Sequence, residues 1–168
     1  EMNDTTSNYS VIGMWKAPSG GATIDGDVDL KITGSDIGMI WGYTSYTEEA
    51  SDSSDPDVKN VVKGKSTVTL IDTVIYNMSD RSYDADYSYD ISKTAVAYLN
   101  NVTVTSGGYD SPICSNEVHL TGPLMGGVAC NHLIFENGGR LIGDALILDQ
   151  LSGSGEFCPA ADNEEFYK

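Results

Sequence analysis

Apolar residues recur along this chain in short β-type runs. No stretch sustains apolar residues at i, i+3, i+4 and i+7, and β-branched and aromatic residues fill the periodic segments. Four segments share a template with apolar positions at offsets 0, 2 and 6. They are Val68, Leu70 and Val74; Val96, Tyr98 and Val102; Val118, Leu120 and Leu124; and, more loosely, Leu141, Gly143 and Ile147. The starts at 68, 96, 118 and 141 lie 28, 22 and 23 residues apart. A period in that range marks a unit that buries its apolar face only by stacking on its neighbours. The pattern predicts an all-β chain with almost no α-helix, a solenoid of about five coils. Its core is expected at the first three sets of template positions.

The polar stretches divide the chain. Residues 1–21 read as an N-terminal arm or cap whose Ile12, Met14 and Trp15 form an apolar anchor bounded by Pro18 and Gly20-Gly21. Residues 22–150 read as the solenoid, with polar insertions at 43–60 and 79–90, and 151–168 as a C-terminal cap or tail. Asn100-Asn101 joins two half-buried runs, which suits a tight corner because Asn tolerates positive φ. Asn137-Gly138 between apolar runs is the strongest short hairpin signature, so an antiparallel β-sandwich is the alternative. In the solenoid the same pair is a corner.

The segments Val68-Thr-Leu-Ile-Asp-Thr-Val-Ile-Tyr76, Val96-Ala-Tyr-Leu-Asn-Asn-Val-Thr-Val104, Gly108-Tyr-Asp-Ser-Pro-Ile-Cys114 and Glu117-Val-His-Leu-Thr-Gly122 resemble coils of the right-handed parallel β-helix, the pectin-lyase-like superfold. The resemblance covers about residues 60–150 at the level of fold. It implies an Asn at the corner between successive strands, where Asn101 falls. Pectate-lyase-type enzymes of this superfold use clustered Asp for calcium and a basic residue for proton abstraction. Their Trp-Ile-Asp-His and Arg-x-Pro motifs are absent here, so no catalytic residue carries over.

Charge narrows the partners. With 25 acidic against 9 basic residues the net charge is −16, a surface that repels phosphate backbones and anionic lipid. No nucleic-acid partner and no membrane insertion are expected, since no apolar run reaches the length of a span. The chain starts at Glu1 without a basic n-region or apolar h-region, and is read as a mature chain after export. Sequons at Asn3, Asn8, Asn77 and Asn101 are candidate glycosylation sites, Asn101 being either a ladder residue or a glycan acceptor. Of Cys114, Cys130 and Cys158, the first two are expected to form a disulfide and the third to remain available.

Candidate chemistry is sparse. Asp25, Asp27 and Asp29 alternate, and on one strand face could gather calcium, although a solvated acidic face is the simpler reading. Tyr43 and Tyr46 in one insertion, and Tyr83, Tyr87 and Tyr89 in the other, could contact carbohydrate, with loop packing as the alternative. His119 lies between Val118 and Leu120 and should point outward. The expectation is a secreted, extracellular or cell-surface protein of structural or adhesive type, more a subunit than an enzyme. Copies of itself, joined through terminal segments into a filament or matrix, are the expected partners. A polysaccharide-binding or lyase-like β-helix protein is the alternative.

Overall fold

The computed structural model describes residues 1–7, 11–12, 23–41, 61–79, 81–82, 90–91, 94–105 and 113–158. Among these the chain is all β and contains no helix. The strands fall into successive layers. The first holds β1 (Met2–Asn3), β2 (Thr6–Ser7) and β3 (Val11–Ile12). Then β4 (Thr23–Ile24) leads to a layer of β5 (Val28–Thr33) and β6 (Asp36–Trp41), and β7 (Val61–Val62) to the long β8 (Ser66–Ser79). After β9 (Arg81–Ser82) and β10 (Asp90–Ile91) comes β11 (Ala95–Val104). The last three layers are β12 (Ile113–Leu120) with β13 (Pro123–Met125), β14 (Val128–Phe135) with β15 (Arg140–Ile142), and β16 (Ala145–Gly153) with β17 (Glu156–Cys158).

Thirteen strands make one sheet, and all its pairings are parallel. Two small pairs stand apart, β4 with β7 in parallel and β9 with β10 antiparallel. Register carries one residue of each layer onto the next. Leu30, Val68, Ala97, Val118, Leu133 and Leu151 form one such column, and Ile32, Leu70, Leu99, Leu120, Phe135 and Gly153 a second. A third runs Thr73, Val102, Leu124, Leu141, Phe157, and a fourth Ile40, Met78, Ile113, Val128, Ala145. Most members of these columns are fully buried and belong to one cluster. Burying a large aliphatic side chain contributes roughly 1.5–3 kcal/mol, so each column is a stabilising unit of several such terms.

The corners explain how the chain turns without losing register. Asp4, Gly34, Asp72 and Asn101 occupy one corner in successive layers, with φ of 48°, 61°, 51° and 53°. This left-handed conformation suits Gly, Asn and Asp. Asn101 Nδ2 donates to Asp72 Oδ1 at 2.7 Å, tying two of these layers together. Asn137, with φ of 48°, serves the same purpose in a later layer. It is a corner between β14 and β15, which pair with other layers and not with each other. The antiparallel β-sandwich is therefore not the architecture.

The repeat length differs from the expected one. Along the first column successive members lie 38, 29, 21, 15 and 18 residues apart. Leu133, not Leu141, is the counterpart of Val118, while Leu141 stacks on Leu124. Val68 and Val118 meet Ala97, not Val96, because Ala97 and Leu99 face the core and leave Tyr98 36% exposed. Val74 likewise faces outward, the inward position being taken by Thr73, whose hydroxyl donates to the Ile71 carbonyl at 2.8 Å. The other expected core positions, Val68, Leu70, Val102, Val118, Leu120 and Leu124, are buried, as is Val96.

Candidate assembly face and outer-face cluster

The two ends of the sheet differ. At the first, β1, β2 and β3 are two residues each, Met2 packs on the core, and Glu1, Asn3, Asp4 and Thr6 are exposed. At the other, β16 runs nine residues and pairs only with β14, and β17 pairs only with β15, among the described residues. Leu146, Leu148, Leu151 and Phe157 are there 43%, 51%, 58% and 51% exposed. Leu151 and Phe157 are the terminal members of columns whose preceding residues, Leu133 and Leu141, are buried. Leu151 and Phe157 are thus the cut end of the core, beside a strand edge that no other described residue pairs.

A second cluster lies on the outer face. His119 stacks on Tyr98, with ring centroids 4.6 Å apart and an interplanar angle of 29°. Its Nδ1 is 2.7 Å from Glu136 and its Nε2 3.2 Å from Glu117. A neutral imidazole has one N–H, so only the imidazolium donates to both carboxylates at once. Glu117 is in register with His132, whose Nε2 lies 2.9 Å from Asp149. His119 does point away from the core, yet its side chain is only 12% exposed because Tyr98 and the carboxylates cover it. This grouping was not legible as a set, since it assembles through the layer spacing of 15 that the apolar template missed.

The acidic triplet does not converge. Asp25 pairs with Lys63 at 2.6 Å, and Asp27 accepts the Lys65 backbone N–H at 2.8 Å. Only Asp29 lies within a strand, because β4 stops at Ile24 and β5 starts at Val28, so the three do not share a strand face. Among the described residues no group of His, Cys, Asp and Glu has the arrangement of a metal site. The carbohydrate candidates Tyr43, Tyr46, Tyr83, Tyr87 and Tyr89 lie outside the described residues, as do Asn8, Met14 and Trp15. Ile12 belongs to β3 and pairs in parallel with Trp41 of its own chain, so this part of the N-terminal segment lies on the stack.

Cys114 is in register with Ala129 and forms a small cluster with it, whereas the next residue, Cys130, belongs to the main core. Alternation along β12 and β14 sends the two sulfurs to opposite faces, and no disulfide joins them. Burial, assisted by nearby Cys114, pushes the Cys130 thiol up to about 12. Cys158 is partly exposed and accepts from the Arg140 guanidinium at 3.6 Å. Of the sequons, Asn3 is exposed, Asn77 is 8% exposed, and Asn101 is exposed with its amide held by Asp72. No protein-family model, curated protein or solved structure matches the chain.

Proposed function

We propose that the chain is a short right-handed parallel β-helix that serves as a secreted structural or adhesive surface protein, joined to copies of itself through its terminal segments. The supporting observation is the last layer. A stack of parallel strands satisfies its backbone everywhere except at its two ends, and one end here presents Leu146, Leu148, Leu151 and Phe157 beside the edge of β16, which no other described strand pairs. A surface of that kind is a joining surface or the seat of a further strand. The first layer, built from two-residue strands laid on the chain's own β5 and β6 with Glu1, Asn3, Asp4 and Thr6 exposed, suits an end that is closed.

The test is particle size. Sedimentation of the native protein across a wide concentration range, with electron microscopy of the same material, should show assemblies. A monomer at every concentration would remove the assembly reading. The outer face favours one other reading. Tyr98 flanked by Glu117 and Glu136 across His119 supplies an aromatic surface next to acceptors, the chemistry that engages a sugar ring. Binding to a polysaccharide array that Tyr98→Ala abolishes would move the assignment to a carbohydrate-binding module.

A further inference from the structure

The corner between β14 and β15 is built on Asn137-Gly138, the chain's one Asn-Gly pair. We propose that it is a site of spontaneous covalent modification. Asn137 deamidates there through a cyclic imide, and the corner accommodates one of the two products but not the other. The site stands whether or not copies join at the end face.

Two asparagines share the left-handed corner conformation, Asn101 with φ of 53° and Asn137 with φ of 48°, and both are exposed. They differ in what holds them. Asn101 Nδ2 donates to Asp72 Oδ1 at 2.7 Å, so reaction at its amide must first break a bond to a carboxylate. The next nitrogen belongs to Val102, which is β-branched, buried and inside β11. At Asn137 neither restraint is present. Its amide has no hydrogen-bond partner among the described residues, and neither does the Gly138 N–H. Gly138 is exposed, and a Cβ placed on it would meet nothing within 4 Å. An unshielded backbone nitrogen beside an untied amide sets up attack of the chain on itself, a reaction favoured by proximity.

The steps balance with water as the only co-reactant. The Gly138 nitrogen loses its proton to solvent base and attacks Asn137 Cγ, forming a C–N bond. The side-chain amide nitrogen leaves as ammonia, and a five-membered imide closes. Water then opens the ring at either carbonyl. Attack at Cγ leaves an aspartate at position 137. Attack at the backbone carbonyl carbon leaves an isoaspartate, whose main chain runs through Cβ and Cγ and is one carbon longer. No electron is transferred.

The fold treats the two products differently. Asp4 and Asp72 already occupy corners with φ of 48° and 51°, so aspartate at position 137 fits the turn as it stands. The longer backbone does not. Gly139 is buried, and a Cβ on it would run into the carbonyl oxygen of Leu120. The Gly139 carbonyl accepts from the Glu156 N–H at 3.1 Å, and the Arg140 N–H donates to Gly122 at 3.2 Å. On the other side of the turn the Glu136 N–H donates to Leu120 at 2.9 Å, and its carboxylate lies 2.7 Å from His119 Nδ1. With both flanks fixed, an added carbon displaces β15 from β13 and from β17, the strand that carries Phe157.

Incubating the native protein at pH 8 and mapping its peptides by mass tests this. Conversion of amide to acid should run at least about tenfold faster at Asn137 than at Asn101, where a hydrogen bond to a charged group must break first. Asn137→Gly, which suits a positive φ and lacks the amide, should abolish the reaction in that peptide. The fraction of aged protein that gains charge contains both products. Its hydrogen exchange should show two populations across 140–142 and 156–158, one matching an Asn137→Asp variant and one faster. Equal conversion at Asn137 and Asn101 overturns the site. Aged protein that exchanges throughout like Asn137→Asp overturns the account of the corner. So does an Asn137→Asp variant that is itself loosened in these segments, since the added charge and not the added carbon would then disturb the layers.

Discussion

Cys130 shows how one buried side chain carries a pH dependence. Its thiol rises from 9.0 to about 12, because burial disfavours the thiolate and Cys114 nearby adds to this. The folded state therefore holds the proton more tightly than the unfolded chain. The stability from this preference is complete below about pH 9 and is lost as pH rises toward 12. Across the full window the loss is about 4 kcal/mol. Urea unfolding should show Cys130→Ala with a shallower decline of stability between pH 9 and 11 than the native chain; parallel declines would assign the effect to other groups. Thiol labelling at pH 8 should modify the partly exposed Cys158 well before Cys130. The same logic sorts the sequons. Asn77 is 8% exposed, and that burial leaves no room for a glycan in the folded protein. Peptide mapping of protein expressed through a eukaryotic secretory pathway should find Asn77 unmodified and Asn3 open to modification.

The corners do at the level of elements what the columns do for the core. Gly143 has φ of 150°, and a Cβ there would run into the carbonyl oxygen of Gly126 in the layer above, with the carbonyl carbon at 2.7 Å. Gly143→Ala should lower stability by about 1–3 kcal/mol, measured by denaturant midpoint, whereas Gly138→Ala, whose Cβ meets nothing within 4 Å, should cost less despite its φ of 90°. Equal losses would mean that φ and not the layer contact sets the penalty. Short β runs, the absence of helix among the described residues and the Asn101 corner were legible, because each is a local preference of the residues that form it. Register was not. Whether Val96 or Ala97 meets the core depends on where the chain enters β11, and a one-residue slip reverses every side chain on the strand. The shortening from 29 to 15 residues per layer was also hidden, since Leu124 and Leu141 repeat the template of a different column. The His119 cluster vanished from view with it, as Glu117, His132 and Glu136 come together only once that spacing is known.

For the whole molecule the governing quantity is a net charge of −16 on a stack with one apolar end. Bringing two copies together places like charges close: Asp149 and Glu156 are exposed on the very layer that carries Leu151 and Phe157. Repulsion of this kind acts through solvent and is screened over a Debye length of about 10 Å at 0.1 M salt and about 3 Å at 1 M. Apolar contact gains slightly under the same change, because salts excluded from the protein surface strengthen effective burial. Both effects point one way. Average particle mass should therefore rise with ionic strength at fixed protein concentration, and Leu151→Asp, which adds charge to the end of a core column, should suppress the rise. Light scattering across a salt series reads this directly. Assemblies that dissolve as salt increases would show that ion pairs between copies hold them, and would place the joint on the charged outer face instead of the apolar end.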